Sequence, residues 1–175
     1  RDAKATHSSR GQVVGVDGKA LDAHVGDVVG SGGKEGGLAD DNFNANPDST
    51  KLLIQEMAHF DKKYPLILVI GDMENPNEKL EDYARKVHFM IGEEIGNLNF
   101  CKLIAIGKWA EEYVNGAISK GISQSKLVYF RTVKEAEKHI QDYIIPKSLV
   151  LFKASEHYVD LGPLLEKLKI NNSSL

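Results

Sequence analysis

The sequence predicts a doubly wound α/β fold built on a mostly parallel sheet. Three observations predict it. Four short runs dominated by aliphatic residues, 66–70, 102–106, 126–130 and 148–152, each have the length of a strand. Between each run and the next lies a stretch whose apolar residues recur at helical spacing. The links between them are short. Such alternation gives parallel strands joined by right-handed crossovers, with helices covering both faces of the sheet.

The elements follow in order. Residues 11–37 are glycine-rich, with short Val-rich pieces at 13–14 and 28–29. Glycine loses the most conformational entropy on ordering, so this part is expected to be irregular, with one or two short strands. Asn46-Pro47 opens the first helix, with Asn as cap, Pro at the first helical position and Asp48 in the first turn. Leu52, Leu53, Met57 and Phe60 mark one face of it, and it is expected to end near Lys62-Lys63 before Tyr64-Pro65. The run 66–70, closed by Gly71, is continuously apolar, which suits a strand buried on both sides. Leu80, Ala84, Val87, Ile91 and Ile95 recur at steps of four, three, four and four, an amphipathic helix. The strand 102–106 is closed by Gly107, and a helix around Trp109, Tyr113 and Ala117 runs to about Gly121. After the strand 126–130, Thr132 and Glu135 form a capping-box pair at the head of a helix through Ala136, Ile140 and Tyr143, ended by Pro146. The strand 148–152 comes next, and Asp160 caps a last helix through Leu161, Leu164, Leu165 and Leu168.

Composition removes several classes of function. With 42% hydrophobic and 27% charged residues among 175, the chain has enough apolar material for one domain with a core. No apolar run is long enough to cross a bilayer, so no membrane span is expected. Net charge is −3, which gives no positive field for nucleic acid. The single Cys101 excludes an internal disulfide and an all-Cys metal site, and reads as a small hydrophobe in a reducing, cytoplasmic setting. Residues 1–11 are polar and do not read as a signal peptide. The first residue is Arg1 and not Met, so the chain is expected to be a processed or excised piece of a longer protein.

In doubly wound sheets, sites form on loops at the carboxyl ends of strands. Here these are 71–74, 107–109, 131–132 and 153–156, with 40–47 ahead of the first clear helix. The segment 30–35, Gly-Ser-Gly-Gly-Lys-Glu, invites comparison with a phosphate-binding loop. A Walker loop needs Gly six residues before its Lys and Ser or Thr after it; Val28 and Glu35 hold those positions, so the segment reads as a turn. His88 lies on the apolar face of its helix and reads as a buried, hydrogen-bonded structural residue. The other histidines show no metal-ligand spacing, and Trp109 reads as core packing. Residues 40–49, Asp-Asp-Asn-Phe-Asn-Ala-Asn-Pro-Asp-Ser, put three Asp, three Asn and an aromatic at a helix start. From the residues alone this is either an Asx-rich capping turn or a loop that reads a base edge and ribose hydroxyls.

That segment resembles the Asp-Asp-Ser-Tyr-Asn-Ala-Asn-Pro-Asp-Ser signature of the Mur ligase family, in its branch that adds D-alanyl-D-alanine to UDP-N-acetylmuramoyl-tripeptide. The resemblance continues in register. Residues 68–73, Leu-Val-Ile-Gly-Asp-Met, are similar to the family's Leu-Gly-Asp-Met loop. His88 followed by Ile91-Gly92 is similar to its His-x-x-Val-Gly helix, and Ile106-Gly107, Gly116-Ala117 and Gly121 to the next strand and helix. Residues 150–155 are similar to its closing strand with Lys-Gly-Ser. The resemblance covers roughly residues 40–169.

It implies the Rossmann-like C-terminal domain of a three-domain ligase, one that closes over ATP and brings the incoming dipeptide. The domains implied are a Gly-rich linker or irregular segment at 1–39, the α/β domain at 40–170 and a tail at 171–175. The implied reaction forms an acyl phosphate at the tripeptide carboxylate, which the dipeptide amine then attacks with loss of phosphate. Closure keeps the acyl phosphate from water. The implied setting is peptidoglycan biosynthesis, and so cell-wall biogenesis, cell shape and cell division. The partners implied are the N-terminal and central ligase domains, the UDP-linked muramoyl peptide and D-alanyl-D-alanine. ATP and Mg²⁺ belong to the full-length enzyme, and the chain alone is expected to bind no cofactor and to be inactive. By resemblance, Arg10, Asp41, Phe43, Asn44 and Asn46 face the nucleotide, and Asp72, Lys153 and Ser155 the substrate. The chain departs from the pattern at Phe43, where the family has Tyr, at Ala154, where it has Gly, and at Glu156, where it commonly has Arg. The alternatives are a Mur-derived binding or regulatory module without ligation, and a Mur-fold ligase for another amino acid.

Overall fold

The computed structural model describes residues 12–15, 20–21, 37–40, 45–59, 62, 64–74, 80–145, 147–155 and 157–172. Their elements in chain order are β1 (Gln12–Gly15), β2 (Ala20–Leu21), β3 (Gly37–Asp40), α1 (Pro47–Met57), β4 (Leu66–Gly71), α2 (Glu81–Ile95), β5 (Lys102–Ile106), α3 (Ala110–Ser119), β6 (Leu127–Phe130), α4 (Val133–Glu137), β7 (Leu149–Lys153) and α5 (Gly162–Asn172). Short 3₁₀ turns at Gln124–Lys126 and Ile140–Tyr143 precede β6 and follow α4.

The strands lie side by side in the order β2-β1-β3-β7-β4-β5-β6. From β3 to β6 every neighbouring pair is parallel, and β1 and β2 extend the sheet by antiparallel pairing at the β3 edge. The sheet therefore reaches into the 1–39 stretch, where only one or two short strands were expected. This is the predicted doubly wound α/β fold.

The central strands are apolar except at Lys102, which opens β5, and Lys153, which ends β7, because both faces are covered. Leu66, Leu68 and Ile70 of β4 join Leu103, Ala105, Leu149 and Leu151 on one face, under α1, α2 and α3. Ile67 and Val69 join Ile104, Ile106, Val150 and Phe152 on the other face, under α4 and α5. The helices divide this way because β3, β4, β5 and β6 advance in one direction across the sheet while the step from β6 to β7 runs back. Right-handed crossovers then fall on opposite faces.

Two helices depart from expectation. The first ends at Met57, not near Lys62: the Ala58 amide makes the last α-type bond, to the Ile54 carbonyl at 3.3 Å, and the His59 amide then turns back to the Glu56 carbonyl at 3.1 Å and tightens the last turn. The predicted helix through Ala136, Ile140 and Tyr143 is broken into α4 and a 3₁₀ turn. Bonds of i→i+3 type run from the Lys138, His139 and Asp142 amides, and they present the same apolar residues to the sheet. Its start is half as expected: Thr132 Oγ1 accepts the Glu135 amide at 3.2 Å, but the Glu135 carboxylate takes the Arg131 amide at 3.0 Å and not that of Thr132, so the reciprocal half of the capping box is displaced by one residue.

Helices α2 and α3 meet through two glycines. A Cβ on Gly92 would lie 2.2 Å from the Tyr113 carbonyl oxygen, and one on Gly116 would lie 2.1 Å from that of Phe89. Backbone meets backbone here, which no other residue allows.

Candidate functional site

Strands β7 and β4 are neighbours, yet β4 leads to α2 on one face and β7 leads to α5 on the other. This divergence opens a crevice at the carboxyl edge, where doubly wound folds bind ligands. A cleft of about 750 Å³ lies there. Its lining comes from four loops: Asp72 and Met73 after β4, Gly107, Lys108 and Trp109 after β5, Arg131 and Thr132 after β6, and Tyr158, Val159 and Asp160 after β7.

Asp72 holds these loops together. Its Oδ2 accepts the Lys108 amide at 2.8 Å and its Oδ1 the Trp109 amide at 3.0 Å. The carboxylate thus caps α3 from outside, in place of a side-chain cap that Trp109 does not supply. Gly107 makes room for it: its φ is +130°, and a Cβ there would sit 2.5 Å from the carboxylate. Asp72 is only 6% exposed. Burial raises its pKa, outweighing the two amide bonds and the nearby Lys108 and Arg131 charges. The backbone of the same loop is tied as well. The Asp72 carbonyl accepts the Ser155 amide at 3.0 Å, and the Glu74 amide donates to the Ala45 carbonyl at 2.6 Å.

His88 is the second brace. It is 2% exposed, with Nδ1 2.7 Å from the Ala84 carbonyl oxygen and Nε2 accepting the Met73 amide at 3.0 Å. These partners require the neutral ring with its proton on Nδ1. Burial lowers its pKa to about 4, against a small opposing effect of the Ala84 bond. The ring packs edge-on to Tyr113, whose hydroxyl donates to the Gly71 carbonyl at 2.9 Å. Burial first, and the Asp72 charge second, keep that phenol protonated well above its ordinary range. The reading of His88 as a buried, satisfied structural residue holds.

No protein-family model matches the chain, and no curated protein does. Solved structures do. Two crystal structures of MurF from Acinetobacter baumannii are 26% and 25% identical to it, with TM-scores of 0.61 and 0.60 over 77% and 79% of this chain. The fold is MurF-like. MurF ligase from Thermotoga maritima in complex with ADP shares that fold at a TM-score of 0.57, with 20% identity over 81% of this chain. The chain spans 28% of the two Acinetobacter structures and 30% of the Thermotoga one, under a third of their length.

Within this MurF-like fold the expected site residues are unevenly placed. Asp72 and Ser155 are joined by the backbone bond above. Lys153, 1% exposed, ends β7 opposite Ile70 of β4, and Ser155 is 3% exposed. Asn46 is the N-cap of α1: its Oδ1 accepts the Ser49 amide at 2.9 Å, and the Asn46 amide donates to Ser49 Oγ at 3.3 Å. Arg10, Asp41, Phe43, Asn44 and Glu156 lie outside the described residues, as does the 30–35 turn. Ala154, where the resemblance has Gly, is fully buried against Gly71, where a Cβ would come within 2.6 Å of its methyl.

Trp109 is corrected. It is half-buried at the cleft and not packed in the core, with Lys108 Nζ 4.7 Å and Arg85 Cζ 5.3 Å from its ring. Lys108, Arg131, Tyr158 and Asp160 were not singled out as site residues. The signal was present for the first two, since both stand in loops identified as carboxyl ends of strands.

Proposed function

We propose that this chain is the C-terminal domain of an ATP-dependent ligase that adds D-alanyl-D-alanine to UDP-N-acetylmuramoyl-tripeptide in cytoplasmic peptidoglycan synthesis. The observation that carries the reading is the loop after β4. It bears the Gly-Asp-Met sequence of the resemblance and stands at the switch point of a MurF-like sheet, braced by Asp72 and His88 against α3, α2 and β7. ATP, Mg²⁺ and the UDP-linked peptide fall mainly to the domains that MurF structures have beyond the span of this chain. Bound there, the nucleotide supplies the phosphoryl group that activates the tripeptide carboxylate.

The roles of this chain's residues in the proposal are limited. Asn46 fixes the start of α1, and the resemblance assigns it, with Arg10, Asp41, Phe43 and Asn44, to the nucleotide. Asp72, Lys153 and Ser155 set the substrate-facing edge. The Asp72 carboxylate already accepts two amides, so its part is to hold loops in place. Among the described residues, no three His, Cys, Asp or Glu side chains are grouped to hold a metal, so no step is assigned to a metal on this chain. No helix of the described residues is long and apolar enough to cross a membrane. A second reading, a Mur-derived module without ligation, is favoured by Glu156 at a position where the family commonly has Arg.

The test is a chimera. This chain replaces the corresponding part of Acinetobacter baumannii MurF, and phosphate release is measured with ATP, UDP-linked tripeptide and D-alanyl-D-alanine. Dipeptide-dependent turnover by the chimera, with none by the chain alone, supports the ligase reading. A folded chimera without turnover supports the module. Turnover by the chain alone overturns both.

A further inference from the structure

We infer that two copies of this chain pair through α2, helix against antiparallel helix about a two-fold axis, on a surface apart from the cleft.

Helix α2 carries two stripes. The inward one, with Ala84, His88, Ile91 and Ile95, is buried against the sheet. A second runs beside it. Leu80, at the helix cap, is followed by Tyr83, Val87, Met90 and Glu94 at steps of three, four, three and four, the spacing of a coiled-coil seam. Leu80 is 51% exposed, Tyr83 46% and Met90 50%, with Val87 half-buried between them. Three of the eight exposed large hydrophobics among the described residues thus share one helical line. Apolar residues scattered singly over a surface are ordinary, but a line of them marks a place where another element packs. Helix α1 stands alongside as the far rim, since Lys51 Nζ lies 3.0 Å from Glu94. None of these residues lines the cleft, so pairing leaves it open.

The charges beside the stripe select a second copy as the partner. Lys86 and Glu93 flank it on one side, seven residues and so about two turns apart. A two-fold axis level with the midpoint of 88 and 89 sets Val87 against Met90 of the other copy, and Tyr83 against Glu94, each contact made twice. Tyr83 then offers its hydroxyl to that carboxylate. The same rotation brings each Lys86 level with the other copy's Glu93 to within two residue rises, about 3 Å, and gives two ion pairs. One helix line that carries both signs at this spacing is complementary to itself, as an isologous contact requires. A parallel pair would turn Lys86 toward Ile91, which is buried, and gain no ion pair. The seam is only two heptads long, so the dimer is weak, with an expected Kd of about 100 µM.

The experiment is sedimentation equilibrium of the whole chain from about 10 µM to about 1 mM, with folding of every variant checked by circular dichroism. The native chain is expected to pass from monomer to dimer across that range. Met90→Gln, at an exposed position, is expected to weaken the dimer by about tenfold. Lys86→Glu alone and Glu93→Lys alone each set like charges together twice, and each is expected to weaken it by about tenfold or more. The double variant Lys86→Glu with Glu93→Lys restores opposite charges across the axis, and is expected to regain the native Kd. A native chain that stays monomeric at the top of the range overturns the inference and leaves the stripe to another domain or protein. A dimer that Lys86→Glu and Met90→Gln leave unmoved forms through another face, and also overturns it. Single losses that the double variant does not restore overturn the antiparallel pairing.

Discussion

Acidification should loosen this fold through one imidazole. His88 accepts the Met73 amide at Nε2, so protonating that nitrogen sets two donors against each other inside the protein. The folded state resists: its pKa is about 4, against 6.5 in the unfolded chain. Between those values the unfolded chain binds the proton and the folded chain does not, so stability falls as pH falls. The contribution is fully present above 6.5, is lost progressively toward about 4, and does not change further below that. At about 1.36 kcal/mol per pH unit this amounts to roughly 3 kcal/mol, a large share of the 5–15 kcal/mol typical of a domain. Asp72 acts in the opposite sense. Its raised pKa makes its contribution present below 3.8 and lost as pH rises through the folded value, so the two must be separated. The assay is urea unfolding at pH 7, 6, 5 and 4 for the native chain and for His88→Gln, which cannot protonate but offers a carbonyl to the Met73 amide. Subtracting one pH profile from the other cancels Asp72 and the exposed histidines. A native chain that loses about 3 kcal/mol more than the variant between pH 7 and 4 confirms the reasoning. Parallel profiles refute it.

Three further outcomes are expected. Gly92→Ala should lower stability by about 3 kcal/mol or more in calorimetry, because its Cβ meets the Tyr113 backbone at 2.2 Å and neither helix can yield without losing its core contacts. Asp72→Ala should lower stability by about 2 kcal/mol by leaving the Lys108 and Trp109 amides without an acceptor, and Asp72→Asn by less, as read by denaturant midpoints. ATP should bind the isolated chain more weakly than micromolar in titration calorimetry, since one wall of a shared site leaves most of the ligand in water; micromolar binding would mean that the chain carries a complete site.

What could be read from the sequence was what burial dictates. The runs 66–70 and 102–106 appear as strands in the structure with bounds within a residue, because a sheet covered on both faces forces its interior positions to be apolar, leaving only Lys102 at the start of β5 charged. The break after α4 was not legible, since Ala136, Ile140 and Tyr143 satisfy an α-helical period and a mixed α and 3₁₀ path alike. At the site, the resemblance pointed to Asp72, but not to its partners. A carboxylate that caps a helix 36 residues away leaves no local pattern, because the acceptor and donors meet only when β4 and β5 pair. Trp109 was misread for a related reason. An aromatic at a helix start is core or cleft according to what the neighbouring loop places against it, and here Lys108 and Arg85 lie over its ring.

The position of β7 has a consequence for how the chain comes to be folded. It is the last strand in sequence, yet it lies between β3 and β4, paired with both. On a ribosome, β3 and β4 emerge first and have no direct partner in each other. More than seventy residues separate the end of β4 from the start of β7. Until β7 arrives, one edge of β4 stays open, and its apolar side chains are exposed to whatever strand comes near. Long-range parallel pairing of this kind carries a high loop-closure cost and folds slowly. The middle of the sheet is thus completed last, which leaves the nascent domain open to mispairing until β7 has emerged.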